Sequence, residues 1–166
     1  MPGKAIGKSL DLGYPGTFSR NPDCVIQNRP TKGDTQFGAP VKLNSDSTFT
    51  AIGAGDTAAA FVGIAVRIVK QQTDYYSTQV VYKDKESMDV LTHGSVTVRV
   101  TSGAPTAGSP VFIRIAANPA FPDSKVGDIV AAADGANTIQ LSNAVFHTGK
   151  VDANGVAEIT VLTRKA

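Results

Sequence analysis

Tryptophan is missing altogether, cysteine occurs once and histidine twice in these 166 residues. A single cysteine, Cys24, excludes an intrachain disulfide and any zinc site built from several thiolates. It suits assembly in a reducing compartment. No nucleophile signature surrounds Cys24, so a small buried or half-buried thiol is expected there. Charge of one sign is lacking too: 16 basic against 14 acidic side chains leave a formal +2. The basic residues are scattered, and the pairs Lys83/Lys85 and Arg164/Lys165 read as solvated loop and tail charges. Phosphate backbones call for a basic face, so no direct nucleic acid partner is expected. Long hydrophobic runs are also missing. The longest, AAAFVGIAV at 58–66, is about half a membrane span, and the first 20 residues hold no apolar stretch of secretory type. A soluble, non-secreted chain without a membrane partner is expected.

Valine, alanine and threonine are plentiful, with 16 Gly and nine Pro among them. That blend suits short strands and many turns better than long helices. The length fits one domain, and a compact chain of this size buries about 68–70% of its unfolded surface. Residues 1–23 hold four Gly, three Pro and few large apolar groups, too little to offset the entropy of ordering them alone. They read as an extended N-terminal arm, anchored if at all by Leu10, Leu12, Tyr14 and Phe18, ahead of a β-rich domain at 24–166.

From Cys24 the text changes. CVIQNR reads as a first short strand. FGAPVKLNSDSTFTAI reads as a hairpin, because Asn, Asp and Ser bend the chain through local hydrogen bonds. Residues 71–88 are polar with a VVY island, hence a connection with at most one edge strand. DVLTHGSVTVRVTSG sets Val96, Val98 and Val100 on one face. VFIRIAA repeats the alternation, with Val111, Ile113 and Ile115 inward. VGDIVAAAD and NTIQLSNAVFHTGKV follow, and Asn154-Gly155 is a strong hairpin signal before the last strand. Roughly eight to ten short strands at this turn spacing predict an all-β barrel or sandwich-like domain.

Within IGAGDTAAAFVGIAVRIVK, Gly53, Gly55 and Ala58 fit the G-x-G-x-x-A spacing of a dinucleotide turn. That site needs a helix after the glycines and then a parallel strand, a crossover of a dozen or more residues. Only eight residues separate Gly55 from Ile64. Val62, Ile64, Val66 and Ile68 then recur two apart, which is strand periodicity. GAGDT is therefore expected to be a turn and AFVGIAVRIV a strand.

His93 and His147 have no acid or serine at an instructive spacing and read as structural or surface residues. Asp123, Asp128, Asp134 and Asp152 read as turn aspartates, since the full D-x-[DN]-x-[DN]-G run ending in Glu is missing. No catalytic residue, metal ligand or cofactor is expected. AVRIV, TVRVT and FIRIA each set an arginine between apolar neighbours, so Arg67, Arg99 and Arg114 are expected to point outward, with Phe112 beside them. They are either ordinary solvated strand positions or a docking face, for which guanidinium groups and an apolar anchor are suited.

CVIQNR, FGAPVKLNSDSTFT, AAAFVGIAVRIVK, DVLTHGSVTVRV, GSPVFIRIA and TGKVDANGVAEITVLTR, taken in order, resemble the structural cement, or head decoration, proteins of tailed bacteriophages. The resemblance runs from about Ser19 onward and rests on the collinear series. It implies a non-enzymatic virion protein on the outer surface of an icosahedral head, assembled in the host cytoplasm, with the major capsid protein as partner. Many similar proteins are trimers, so a homo-oligomer, a trimer first, is implied. A β-sandwich module binding carbohydrate on a virion or cell surface is the alternative; no Trp and four Tyr leave it few stacking platforms.

Overall fold

The computed structural model describes residues 12–19, 23–67 and 81–163. Leu10, Ile68, Val69, Arg164 and Lys165 from the expectations above, and the greater part of the polar stretch at 71–88, lie outside the described residues. The fold is all-β. Its strands are β1 (Val25–Pro30), β2 (Thr35–Gln36), β3 (Pro40–Leu43), β4 (Phe49–Ala51), β5 (Phe61–Val66), β6 (Val81–Tyr82), β7 (Ser87–Arg99), β8 (Pro110–Arg114), β9 (Ile129–Val130), β10 (Thr138–Val151) and β11 (Val156–Val161). The only helical pieces among the described residues are single 3-10 turns at Ala58–Ala60 and Gly135–Asn137.

One sheet runs β4-β3-β5-β7-β11-β10-β8-β9, with β1 added to β7, and β2 and β6 form a small separate ribbon. The named strands pair antiparallel throughout. The sheet curls until its far edge meets the continuation of β7. There Val100 and Ile129 form a parallel bridge, Thr101 N donates to Ile129 O at 3.1 Å, and Ala131 N donates to Ser102 O at 2.9 Å. That closure shields the β9 edge from foreign strands.

Strand β7 organises the rest. Its first half pairs with β1 and β5, and its second half with β11. Leu91, Val96 and Val98 enter the main core with Val111, Ile113, Phe146 and Ile159. Met88 and Val90 enter a second core with Phe37, Val41, Phe49 and Tyr82. Inward parity therefore changes along β7, odd at Leu91 and even at Val96. The β1 register jumps there, Val25 facing His93 and Ile26 facing Leu91, and one extra residue in a ladder exchanges the two faces.

The glycine-rich stretch is a turn feeding β5, as its spacing predicts. Asp56 closes it: the carboxylate accepts Gly53 N–H at 2.8 Å and holds Lys42 Nζ at 2.7 and 2.8 Å. An anion of the chain's own thus occupies the amide a phosphate would seek. The FGAPV hairpin is present as β3–β4, closed by Asn44 N to Thr48 O at 2.9 Å. The Asn154-Gly155 hairpin is present as β10–β11. Val111 and Ile113 face the core as expected; Ile115 does not, since β8 ends at Arg114 and Ile115 is half-buried beyond it.

Arg114 corrects a second expectation. It leaves β8 on the side opposite Ile113, yet it is 0% exposed. The segment 117–134, which carries β9, folds over that side. Nε donates to Ser124 Oγ at 2.8 Å, Nη1 donates to Asp134 Oδ2 at 2.7 Å, and the guanidinium lies 5.2 Å from the Phe121 ring centroid. Alternation placed the side chain away from the core, but loop burial makes it a structural ion pair. Phe112, on the same strand, is half-buried rather than standing free, opposite Val130 and Gln140.

Candidate docking surface

Residues 12–19 of the expected arm lie along the body as a strap. Gly16 N donates to Thr97 O at 2.7 Å and Thr97 N to Thr17 O at 2.8 Å. Thr97 Oγ1 donates to the Tyr14 and Thr17 carbonyls at 2.7 and 3.0 Å. Ser19 Oγ donates to the buried Glu158 carboxylate at 2.7 Å. At the other end, Leu12 N donates to Asp152 Oδ2 at 3.0 Å. Burial pulls the Asp152 carboxyl up, but the amides of Val156, Leu12 and Asn154 outweigh it, so its pKa lies below the ordinary value. Phe18 bridges Val96 and packs on the main core, while Leu12 is half-buried.

The strap lifts Tyr14 into solvent at 70% exposure. Arg67, just past β5, sets its guanidinium 5.3 Å from the Tyr14 ring centroid and 5.1 Å from that of Phe37. Phe37 in turn meets Tyr82 edge-on, 4.9 Å between centroids at 77°. Tyr82 is anchored from below: its hydroxyl donates to Val66 O at 2.5 Å, and burial pushes its pKa up to about 12. It is therefore a neutral donor through the physiological range. Both rings thus lie within cation–π range of the Arg67 guanidinium.

A cavity of ≈ 520 Å³ opens beside this stack, between Tyr14 and Pro15 of the strap, Gln36 and Phe37, Arg67, Arg99, and Asn154 and Val156 of the last hairpin. Among the described residues no acidic side chain lines it. A second cavity of ≈ 490 Å³ shares Gln36, Phe37 and Arg99 and continues to Asp123, Lys125 and Asp128. Together they make one groove with exposed Arg99 at its middle.

Of the residues singled out from sequence, the structure brings Tyr14, Arg67 and Arg99 together on this groove. Arg114 and Phe112 lie elsewhere, on β8, and Phe18 packs inward. Sequence reasoning missed Phe37, Gln36 and Asn154. Phe37 was read only as the start of a hairpin, Asn154 only as a turn signal, and Gln36 was not singled out; the ring contact of Phe37 with Arg67 marks its part in the groove. His93 is half-buried, and exposed His147 has Thr160 Oγ1 3.1 Å from its Nδ1. Cys24 is half-buried, as expected. Among the described residues no three His, Cys, Asp or Glu side chains group as metal ligands.

The fold and groove together define an all-β structural module with an open surface groove. The family described as "Structural cement protein (E217 gp24/Pam3 gp6)" matches residues 2–162, and the chain belongs to that family. It is a phage structural protein with a capsid role, and its place is the virion. In fold it is similar to a chain from the capsid of Myoviridae phage XM1, at 17% identity and a TM-score of 0.72, covering 99% of this chain and 100% of that one. No curated protein matches it.

Proposed function

We propose that this chain cements the head from outside: it binds the outer surface of the icosahedral shell, docks on the major capsid protein and holds adjacent capsid subunits against the pressure of packed genome. The observation that carries this reading is the family match along residues 2–162. The body suits the task. A curled sheet with two apolar cores is stiff, and its exterior offers a groove rather than a group poised to react. Binding by a trimer, assembled in the host cytoplasm, would multiply weak contacts by about 10²–10⁴ through effective concentration. Each contact would bury about 1,000 Å² or more. The role is mechanical and requires no catalytic residue or cofactor. Residues 1–11, ahead of the strap, are the proposed clamp on a neighbouring subunit, with the domain beyond them as the body.

The test is to add purified protein to heads of the same phage that lack it. Saturable co-sedimentation and a higher temperature of genome release are expected. Heads that neither bind the protein nor gain heat resistance would overturn the reading.

A further inference from the structure

Beyond the cement reading and independent of it, we infer that the outer edge of β1 takes the same edge of a second copy, pairing antiparallel about a two-fold axis at Gln27. Three strands end the main sheet: β4, β9 and β1. Two of these edges are met by the chain itself. Lys32 N donates to Phe49 O of β4 at 2.8 Å, and Thr101 N donates to Ile129 O of β9 at 3.1 Å. β1 has β7 on one side, and among the described residues no strand pairs with its other side.

The ladder fixes which amides are left over. Thr31 N donates to Glu86 O at 2.8 Å, continuing the β1–β7 register past Pro30 and Ser87. The amides of Gln27 and Arg29 therefore turn to β7, and those of Ile26 and Asn28 turn outward. The far side of β7 agrees. Ala65 N donates to Ala39 O at 2.9 Å, so Ile64 and Val66 face Leu91 and Asp89, leaving Met88 and Val90 for β1. Asn28 is exposed. Its side chain is held on the β7 side, where Nδ2 donates to Asp89 Oδ1 at 2.7 Å and Oδ1 accepts Ser87 Oγ. Edges that stay single are guarded by lysine, proline or a bulge. Here the one charge, Arg29, lies 5.9 Å from the Phe49 ring centroid, and Pro30 stands only at the last position.

A second copy fits these groups. With the axis at Gln27, Ile26 of each copy exchanges both N–H···O bonds with Asn28 of the other, so every outward amide finds a carbonyl. Val25 then lies opposite Arg29, and no like charges meet. A shift toward Pro30 sets that residue, which has no N–H, opposite Ile26. A further shift brings Arg29 against Arg29 of the second copy, and the reverse shift runs off the start of β1 at Val25. The contact is isologous. A single strand pair is small beside the stable interfaces of about 1,200 Å² or more, so it gains from copies standing side by side on one shell. Being two-fold, it joins one trimer to the next rather than building the trimer.

The experiment oxidises the full chain with diamide and follows covalent dimers on a non-reducing gel, with Cys24→Ser removing the native thiol. Across the axis the Gln27 Cα atoms stand about 4.5 Å apart, inside the disulfide range of about 4.4–6.8 Å. The two Val25 Cα atoms, on the same face, stand about 14 Å apart. Gln27→Cys should therefore cross-link at least about tenfold faster than Val25→Cys. Equal rates, or no dimer from Gln27→Cys, would overturn the inference and leave the cement reading standing. A second measurement needs no cysteine. Gln27→Glu and Gln27→Lys should each self-associate less than the parent in sedimentation, and their mixture should recover, since opposite charges then face each other. A mixture no better than either variant alone would also overturn it.

Discussion

At the scale of single residues, Arg114 carries more of the fold than its place in an alternating strand suggests. Its guanidinium joins Ser124, Asp134 and Phe121, from the two sides of β9, to β8. Arg114→Ala removes these contacts together and leaves Ser124, itself buried, with one partner fewer. The melting temperature should fall by about 4–8 °C in a calorimetric scan. Asp134, beyond β9, is held below its ordinary pKa by Asn118 and then by Arg114. Asp56 is lowered too, since Lys42 and the Gly53 amide outweigh the upward pull of burial. A carboxylate with a folded pKa below its unfolded one favours the folded chain above the unfolded value, about 3.9. That contribution is lost as pH falls from about 4 through the lower folded value. Urea midpoints should therefore be flat above about pH 5 and drop toward pH 2, more shallowly in Asp134→Asn. An unchanged slope in that variant would place the acid sensitivity on other carboxylates.

Elements were the most legible level, and their junctions the least. Period-two apolar text marked β3, β5, β7, β8 and β11, because a half-buried strand repeats its environment at every second residue. It marked Arg114 as pointing away from the core, but periodicity says nothing about which loop covers that side. It also misses bulges, where the repeat slips by one. In β5, Phe61 faces Lys42 and Gly63 faces Val41, so Val62 is extra, and Phe61 and Ile64, three apart, share the main core. The groove was less legible still, because Tyr14, Phe37, Arg67, Arg99 and Asn154 come from five separate stretches. Gly63 gives the bulge a test. A Cβ there would stand 2.2 Å from Leu91 O and 2.9 Å from Leu91 C, backbone atoms in β7 that cannot yield cheaply. Gly55 is the contrast: its φ of +79° strains any side chain, but a Cβ would meet nothing within 4 Å. Gly55→Ala should cost about 1–2 kcal/mol. Gly63→Ala should lower the melting temperature by about 10 °C or more, or leave no soluble folded protein. Equal effects would mean β5 and β7 can separate without harm.

At the scale of the whole molecule, the strap divides the N-terminal stretch into two parts that different deletions should distinguish. Residues 12–19 are bound to Thr97, Ser95, Glu158 and Asp152. Phe18 contributes to the main core, and Gly16 accepts the Arg67 amide. Removing residues 2–19 therefore strips a wall from the groove and several hydrogen bonds from β7. The protein should then melt several degrees lower, at about 1 kcal/mol per lost buried bond. Removing only residues 2–11 spares all of these contacts except the Leu12 amide's surroundings, so the melting temperature should stay within a degree or two. If residues 1–11 clamp a neighbouring subunit, this shorter deletion should still lower occupancy on heads, measured by co-sedimentation at equal protein concentration. The fall should be larger than the loss of one weak contact implies, because a bridge between subunits acts through effective concentration. Full occupancy with the 2–11 deletion, together with loss in the 2–19 deletion, would move the capsid contact from the clamp to the strap and groove.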